Sequence, residues 1–323
     1  MTRDWRLCLL LIALGGSGHA HAQGAFPSKP IRFVVTSPPG GANDTLNRAI
    51  GAKLMDLTGQ PVVIDNRPGA SGFVAAEIVA KAPADGYTVL TGTEATLVTN
   101  PLIFPKTPYK TQRDFAPVTM TAAVSHVLLV HPSLPATSVR ELIAVAQAKP
   151  GQLNYASSGT GSAFHLGMEL FKRMAGVDIV HVPFKGSALS ISAMLAGDVQ
   201  MMLVGTTTGL PLARSGKARA LAMASAKRSP LAPELPTIAE AALPGYEISS
   251  WFGAVVPSAT PAPVVAKLHA DFIRALNSPD LRQRLAPGGY EVIANTPQQF
   301  SAHMAAQSKR LAGIIRDAGI RVE

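Results

Sequence analysis

Ile31-Arg32-Phe33-Val34-Val35-Thr36-Ser37-Pro38-Pro39-Gly40-Gly41-Ala42-Asn43-Asp44-Thr45-Leu46 is the stretch on which the fold turns. Its first six residues form a short β-rich run. Two prolines and two glycines then break the chain. From Ala42 the apolar positions take helical spacing, at Leu46, Ile50, Leu54 and Leu57. Strand, glycine turn and helix open an α/β unit. The order then repeats: residues 61–65 read as a strand, 66–72 as a second glycine-rich turn, 73–81 as a helix and 87–91 as a third strand. This alternation predicts a parallel sheet flanked by helices.

Residues 116–132 carry two β-like runs separated near Val124, which read as a crossing between two lobes. Beyond it, 139–148 is helical and 153–156 a strand. A third turn at 157–162 leads into a helix at 163–174, with Leu166, Leu170 and Met174 on one face. Residues 177–182 form a strand that passes through Phe184-Lys185-Gly186-Ser187 into another helix, and 199–204 and 218–223 close the second lobe. The proline-rich segment 226–245 is the return connection. After a strand at 251–256, the long helices 263–277 and 297–318 are expected to pack on the first lobe. The implied organisation is a signal peptide at 1–22, a first lobe of 23–124 with 226–323, and a second lobe of 125–225. The roughly 300 residues beyond the signal peptide suit two domains of ordinary size.

The N-terminus supports the first of those divisions. Arg3 and Arg6 precede a short apolar run at 7–14, and Ala20-His21-Ala22 has the small-x-small pattern of a cleavage site. The run falls well short of the roughly 20 residues of a spanning helix. The expected product is secreted to the periplasm. Cys8, the chain's one cysteine, lies in the segment to be removed, so the remainder has no disulfide and no thiol metal site. Hydrophobic residues at 47% supply a large core, and charged residues at 15% exclude a disordered chain. Residues 1–22 carry Arg3, Arg6 and Asp4, a net +1, so +8 of the formal +9 remains on the rest. The basic residues are scattered, without the runs and interleaved aromatics of a nucleic-acid surface, so no nucleic-acid partner is expected. A weak positive field favours an anionic solute.

Three turns share one physical feature: Pro39-Gly40-Gly41, Arg67-Pro68-Gly69-Ala70-Ser71-Gly72 and Ser157-Ser158-Gly159-Thr160-Gly161-Ser162. Each joins a strand to the start of a helix and is built largely of small residues. A helix start leaves N–H groups without intrahelical partners and carries partial positive charge, which makes an anion site without a formal cation. A tight loop with a helix cap accounts for any one of them alone. Three together, with Lys185-Gly186-Ser187, favour a site. Nucleotide motifs fail, because Gly159-Thr160-Gly161 lacks the third dinucleotide glycine and no turn ends in Gly-Lys-Ser/Thr. Gly69-Ala70-Ser71-Gly72 is one residue short of a nucleophile elbow. The histidines show no helical metal spacing and no matching carboxylate cluster, so no metal or cofactor is implied. His165 follows the third turn closely and either packs at the cleft or caps its helix. Asp44 sits at a helix start, as a structural cap or a ligand contact.

In order, Pro27-Ser28-Lys29-Pro30-Ile31, Pro39-Gly40-Gly41 with Asp44 and Arg48, and Asn66-Arg67-Pro68-Gly69-Ala70-Ser71-Gly72 resemble the substrate-binding proteins of tripartite tricarboxylate transporters, the Bug proteins. Ala84-Asp85-Gly86-Tyr87-Thr88, Leu153-Asn154-Tyr155-Ala156-Ser157-Ser158-Gly159, Val182-Pro183-Phe184-Lys185-Gly186, Pro236-Thr237-Ile238-Ala239-Glu240 and Trp251-Phe252-Gly253 continue the likeness to the C-terminus. The resemblance implies an α/β, two-lobe periplasmic-binding-protein (type II) fold with a ligand cleft between the lobes. It implies a carboxylate held by backbone amides, small hydroxyls and water. Carried onto this chain, the first-lobe candidates are Gly40, Gly41, Asp44 and Thr93. On the second lobe they are Ser157, Ser158, Gly159, Thr160, Gly161, Ser162 and His165, with Lys185, Gly186 and Ser187 nearby. Thr91-Gly92-Thr93-Glu94-Ala95 departs from the family pattern, where serine and histidine are common. Glu94 would repel a carboxylate unless Lys185 offsets it or it points away; alternatively it recognises a ligand ammonium.

The function so implied is capture of a di- or tricarboxylate, an aromatic carboxylate or an amino acid, as a monomer, for the membrane subunits of a transporter, without catalysis. The rivals are a ligand sensor signalling to a membrane partner and a hydrolase using Ser71 or Ser162.

Overall fold

A computed structural model describes residues 26–69 and 72–320. The expected signal peptide, Cys8 and Ser71 lie outside the described residues. The first strand, β1 (Ile31–Val35), is buried on both faces, as a parallel strand covered by helices must be. Helix α1 (Ala42–Thr58) follows and stops at Gly59, whose φ of 71° provides a left-handed terminus. Then come β2 (Val62–Asn66), α2 (Phe73–Ala80) and β3 (Thr88–Thr93). Strand β1 pairs in parallel with both β2 and β3, so the predicted α/β unit is present.

A π-helical turn (Ala95–Thr99) and two short helices, α3 (Asn100–Ile103) and α4 (Thr111–Asp114), lead into β4 (Phe115–Val130). This strand of 16 residues is the spine of the molecule. Up to Ser125 it pairs antiparallel with β9 (Ser249–Pro257); from His126 it pairs antiparallel with β7 (Met201–Gly205) and, from Val127, with β8 (Arg219–Met223). The sequence splits this strand in two near Val124, whereas its backbone is continuous. Side chains alternate across a strand, and here Val124 and His126 line one hollow while Ala123 and Ser125 line another on the opposite face. Half-exposed residues interrupt the apolar pattern without interrupting the hydrogen-bond ladder.

The second half repeats the α/β order. After α5 (Val139–Ala148) come β5 (Asn154–Ser157), α6 (Ala163–Ala175), β6 (Val180–Pro183) and α7 (Ser187–Ala196), and β5 pairs in parallel with β6 and β7. Strand β6 starts three residues later than its sequence pattern suggests. Helix α8 (Thr206–Arg214) is absent from the sequence reading because it contains Gly209 and Pro211, both helix breakers. Tertiary contact overrides that propensity: a Cβ on Gly209 would fall 2.4 Å from the Val127 side chain, and the Thr206 hydroxyl donates to Ser125 O at 2.7 Å.

The chain returns through α9 (Ile238–Ala241) to β9 and continues as α10 (Ala262–Leu276), α11 (Pro279–Leu285), β10 (Tyr290–Val292) and α12 (Pro297–Asp317). Helix α10 packs on α1, with Phe272 stacked on Phe33 at 5.5 Å. Helix α12 reaches further than expected: it packs on β4 and α3 and also touches α6, where Arg173 pairs with Asp317 at 2.7 Å. Among the described residues no helix is long and apolar enough to cross a membrane.

The fit of α12 against β9 depends on Gly253, because a Cβ there would lie 2.2 Å from the buried Phe300 ring. Gly253→Ala is expected to lower unfolding stability by about 1–3 kcal/mol through overpacking. Urea denaturation measures this, and an unchanged midpoint would refute the proposed tight seat.

Candidate ligand-binding cleft

Four helices begin at one cavity of about 410 Å³. Ala42, the first residue of α1, lines it from the first half, beside Thr93, Glu94 and Ala95 at the end of β3. From the second half come Ser162 and Ala163 at the start of α6, Ser187 at the start of α7, and Gly205, Thr207 and Thr208 at the start of α8. Val124 and His126 of β4, with Ser250 and Phe252 of β9, supply residues from the crossing strands.

Three of the four helices carry a glycine N-cap: Gly41 before α1, Gly186 before α7 and Gly205 before α8. None receives a side-chain cap. A serine or aspartate N-cap normally accepts from the second or third N–H of a helix. Glycine has no group to do so, and the donors stay available for another acceptor. Helix α6 differs, because the Ser162 hydroxyl oxygen accepts from His165 N–H at 3.3 Å. Its hydroxyl proton remains available to donate.

A buried network stands behind α6. Ser157 Oγ accepts from Gly159 N–H at 3.2 Å and lies 2.7 Å from His181 Nε2. The His181 ring stacks on His165 at 3.9 Å, and His165 Nδ1 accepts from Gly161 N–H at 3.0 Å. Tyr155 stacks on His181 and donates to Glu169, which also pairs with Lys172. These contacts fix the turn 157–162. Gly161, at φ 79°, presses its backbone towards the first half, where a Cβ would meet Ile103 at 2.5 Å.

Of the residues singled out in the sequence, Thr93, Ser158, Ser162 and Ser187 line the cavity. Gly40, Gly41 and Asp44 shape the entry to α1 instead. Asp44 is buried and accepts from Gly40 N–H, Arg48 and Asn66 at 2.8 to 2.9 Å. Burial works against its ionisation, but hydrogen bonds from Arg48, Gly40 and Asn66 outweigh it and hold the carboxyl below its usual value. Ser157, Gly159, Gly161 and His165 belong to the supporting network. Thr160 and Lys185 are exposed, and neither they nor Gly186 line the cavity. Of the second turn's described residues, Arg67, Pro68, Gly69 and Gly72 do not line the cavity, and Gly72 abuts Thr36 and Thr96.

Sequence reasoning missed Gly205, Thr207 and Thr208, although the run at 199–204 followed by Gly205-Thr206 has the same strand–small turn–helix order as the turns it found. Pro211 hid the helix. It also missed His126, Phe164 and Ser250. His126 is 1% exposed, its Nε2 lies 3.0 Å from Ser250 Oγ, and Phe164 packs edge-on against its ring at 4.8 Å. Glu94 is 7% exposed and accepts from the Thr99 hydroxyl. Burial pushes Glu94 up to about 7, the Thr99 bond opposing, and pushes His126 down to about 4. Among the described residues no lysine or arginine lines the cavity. A second hollow, of about 580 Å³, opens on the other face of β4 and β9 near Lys227, Glu247 and Tyr290, and none of the four helix starts reaches it.

Two α/β halves joined by crossing strands, with a cavity lined from both, define the class of two-lobe solute-binding proteins. The chain belongs to the tripartite tricarboxylate transporter family receptors, whose pattern matches residues 46–320. It resembles Rpa4515 of R. palustris, solved with adipate, at 41% identity and TM-score 0.79 over 92% of this chain and 99% of that one. MatC (Rpa3494) from Rhodopseudomonas palustris, solved with bound malate, is similar at 33% identity and TM-score 0.74, over 90% of this chain and 100% of that one. The periplasmic binding protein BugD is similar at 29% identity and TM-score 0.74, over 92% and 100% of the two chains. The fold is that of the periplasmic solute-binding proteins of this family.

The buried histidines make stability depend on pH. Burial drives His165 to about 3 and His181 to about 4, with nearby Lys172 adding to both, and His126 to about 4. A histidine depressed in the fold contributes stability that is complete above its ordinary value of 6.5 and is lost as pH falls towards the folded value. Glu94 has the opposite sign: its contribution is present below 4.5 and is lost as pH rises to about 7. Three groups outweigh one, so unfolding free energy is expected to fall from pH 6.5 to pH 4, and less steeply in His181→Gln. Denaturant titrations across that range check it; a flat profile would contradict the buried neutral network.

Proposed function

We propose that the protein captures a small carboxylate-bearing solute in this cleft and delivers it, as a single chain, to the membrane subunits of a tripartite transporter. The observation that carries this reading is the glycine capping of α1, α7 and α8, which leaves uncapped N–H donors from both halves at one cavity that no described lysine or arginine lines. Donors of that kind bind anions, and hydrogen bonds to a charged acceptor are stronger than neutral ones. Residues 23–124 with 226–323 form one lobe and 125–225 the other. The change of strand partners between Ser125 and His126 supports that division. Residues 1–22 direct the chain to the periplasm and are removed.

A carboxylate bonded to both lobes interacts differently with the open and closed arrangements, and that difference shifts the population towards closure. The protein performs no chemistry on the solute. Ser162, the described serine of the hydrolase alternative, contacts His165 through the backbone N–H, while the imidazole is engaged by Gly161 and His181. It therefore has no paired base there.

Titration with dicarboxylates is expected to raise the melting temperature with rising ligand concentration and to reduce the radius of gyration. Ser158→Ala and Thr207→Val are each expected to weaken binding by about ten-fold or more, as loss of a hydrogen bond to a charged group does. No thermal shift with any member of a broad carboxylate panel would contradict the proposal.

A further inference from the structure

Among the described residues, Glu94 and His126 are the only titratable side chains lining the cleft. Glu94 follows β3 directly and precedes the π-helical turn, where the Thr99 hydroxyl donates to one carboxylate oxygen. Among the described residues no lysine or arginine forms an ion pair with it. A carboxylate this buried lacks a counter-charge from the protein. His126 is the second observation. It is almost wholly buried, and its Nδ1 has no hydrogen-bond partner. In the tautomer that donates from Nε2 to Ser250, Nδ1 is an unpaired acceptor enclosed by the protein, and the ring carries no charge to balance Glu94.

The cavity thus has two unlike chemistries. The starts of α1, α6, α7 and α8 offer donors. Glu94 offers an acceptor, and the neutral His126 supplies no positive charge beside it. A dicarboxylate satisfies the first set and meets repulsion or an unmatched acceptor at the second. A ligand with a carboxylate and a protonated amine satisfies both, because the ammonium supplies the counter-charge that Glu94 lacks.

We propose that the cleft selects a zwitterionic amino acid over a dicarboxylate, and that Glu94 is the residue that recognises the amine. This deepens the carboxylate-capture reading and rests on it. Burial holds Glu94 near 7, so the acid form predominates at pH 6 and the carboxylate at pH 8. The Thr99 hydroxyl is the neighbouring group that bears on this titration; His126, which also lines the cavity and is pushed down to about 4, stays neutral across that range.

The test uses matched pairs in which one carboxylate is replaced by an ammonium: succinate with 3-aminopropanoate, glutarate with 4-aminobutanoate, adipate with 5-aminopentanoate. Calorimetric titrations are run on the wild type and Glu94→Gln at pH 6 and pH 8, with thermal melts confirming that both are folded. In the wild type at pH 8 the amine of the best-fitting pair is expected to bind at least about ten-fold more tightly than its dicarboxylate, since an unpaired buried polar group penalises the wrong ligand. That preference should shrink at pH 6 and vanish in Glu94→Gln. A dicarboxylate that outbinds its amine partner in the wild type, or a preference that survives in Glu94→Gln, would overturn the inference while leaving carboxylate capture intact. Absence of binding by every compound to the folded protein would overturn both.

Discussion

An uncapped helix start is an unfinished structure. Its first N–H groups have no acceptor within the helix, and in most proteins a side chain or water completes them. Here Gly41, Gly186 and Gly205 leave that task undone at three helices that open on one cavity. Each uncapped start adds partial positive charge without a long side chain to order. The site can therefore favour an anion although none of the described lysines or arginines lines it. The net positive charge of the chain lies elsewhere and acts, at most, as a diffuse attraction.

The fold is what makes those starts converge. Strand β4 runs unbroken through both halves and changes partners between Ser125 and His126. The starts of α6, α7 and α8 follow β5, β6 and β7, at the carboxyl ends of parallel strands where ligands of open α/β sheets bind. Helix α1 follows β1 in the same way. The histidine stack behind α6 holds its turn in place without entering the cavity. His165 and His181 stay neutral there because burial disfavours their charged forms.

The α/β order was legible because strands such as β1 and helices such as α1 keep their periodicities in the sequence. The continuity of β4 was not, since Val124 and Ser125 face hollows on opposite sides and break the apolar pattern. Helix α8 was hidden by Pro211, which local propensity rejects and packing against β4 accommodates. At the site, two of the glycine-serine turns and the Lys185-Gly186-Ser187 segment lead to helix starts that line the cavity, whereas few of their own residues do. Asp44, Ser157 and His165 build the frame, whereas Ala42, His126 and Ser250 line the space. Which residues of a turn reach a cavity depends on how the opposing half docks, and residue order does not carry that information. Glu94 was visible as an odd residue; its burial and its lack of a basic partner required the structure.

Amide chemical shifts during titration with a saturating carboxylate test the central claim most directly. The account predicts downfield shifts for amide protons in the first turns of α1, α6, α7 and α8, with the starts of α10 and α12 unmoved. Shifts confined to the rear hollow around Lys227 and Tyr290, or to one half alone, would contradict it.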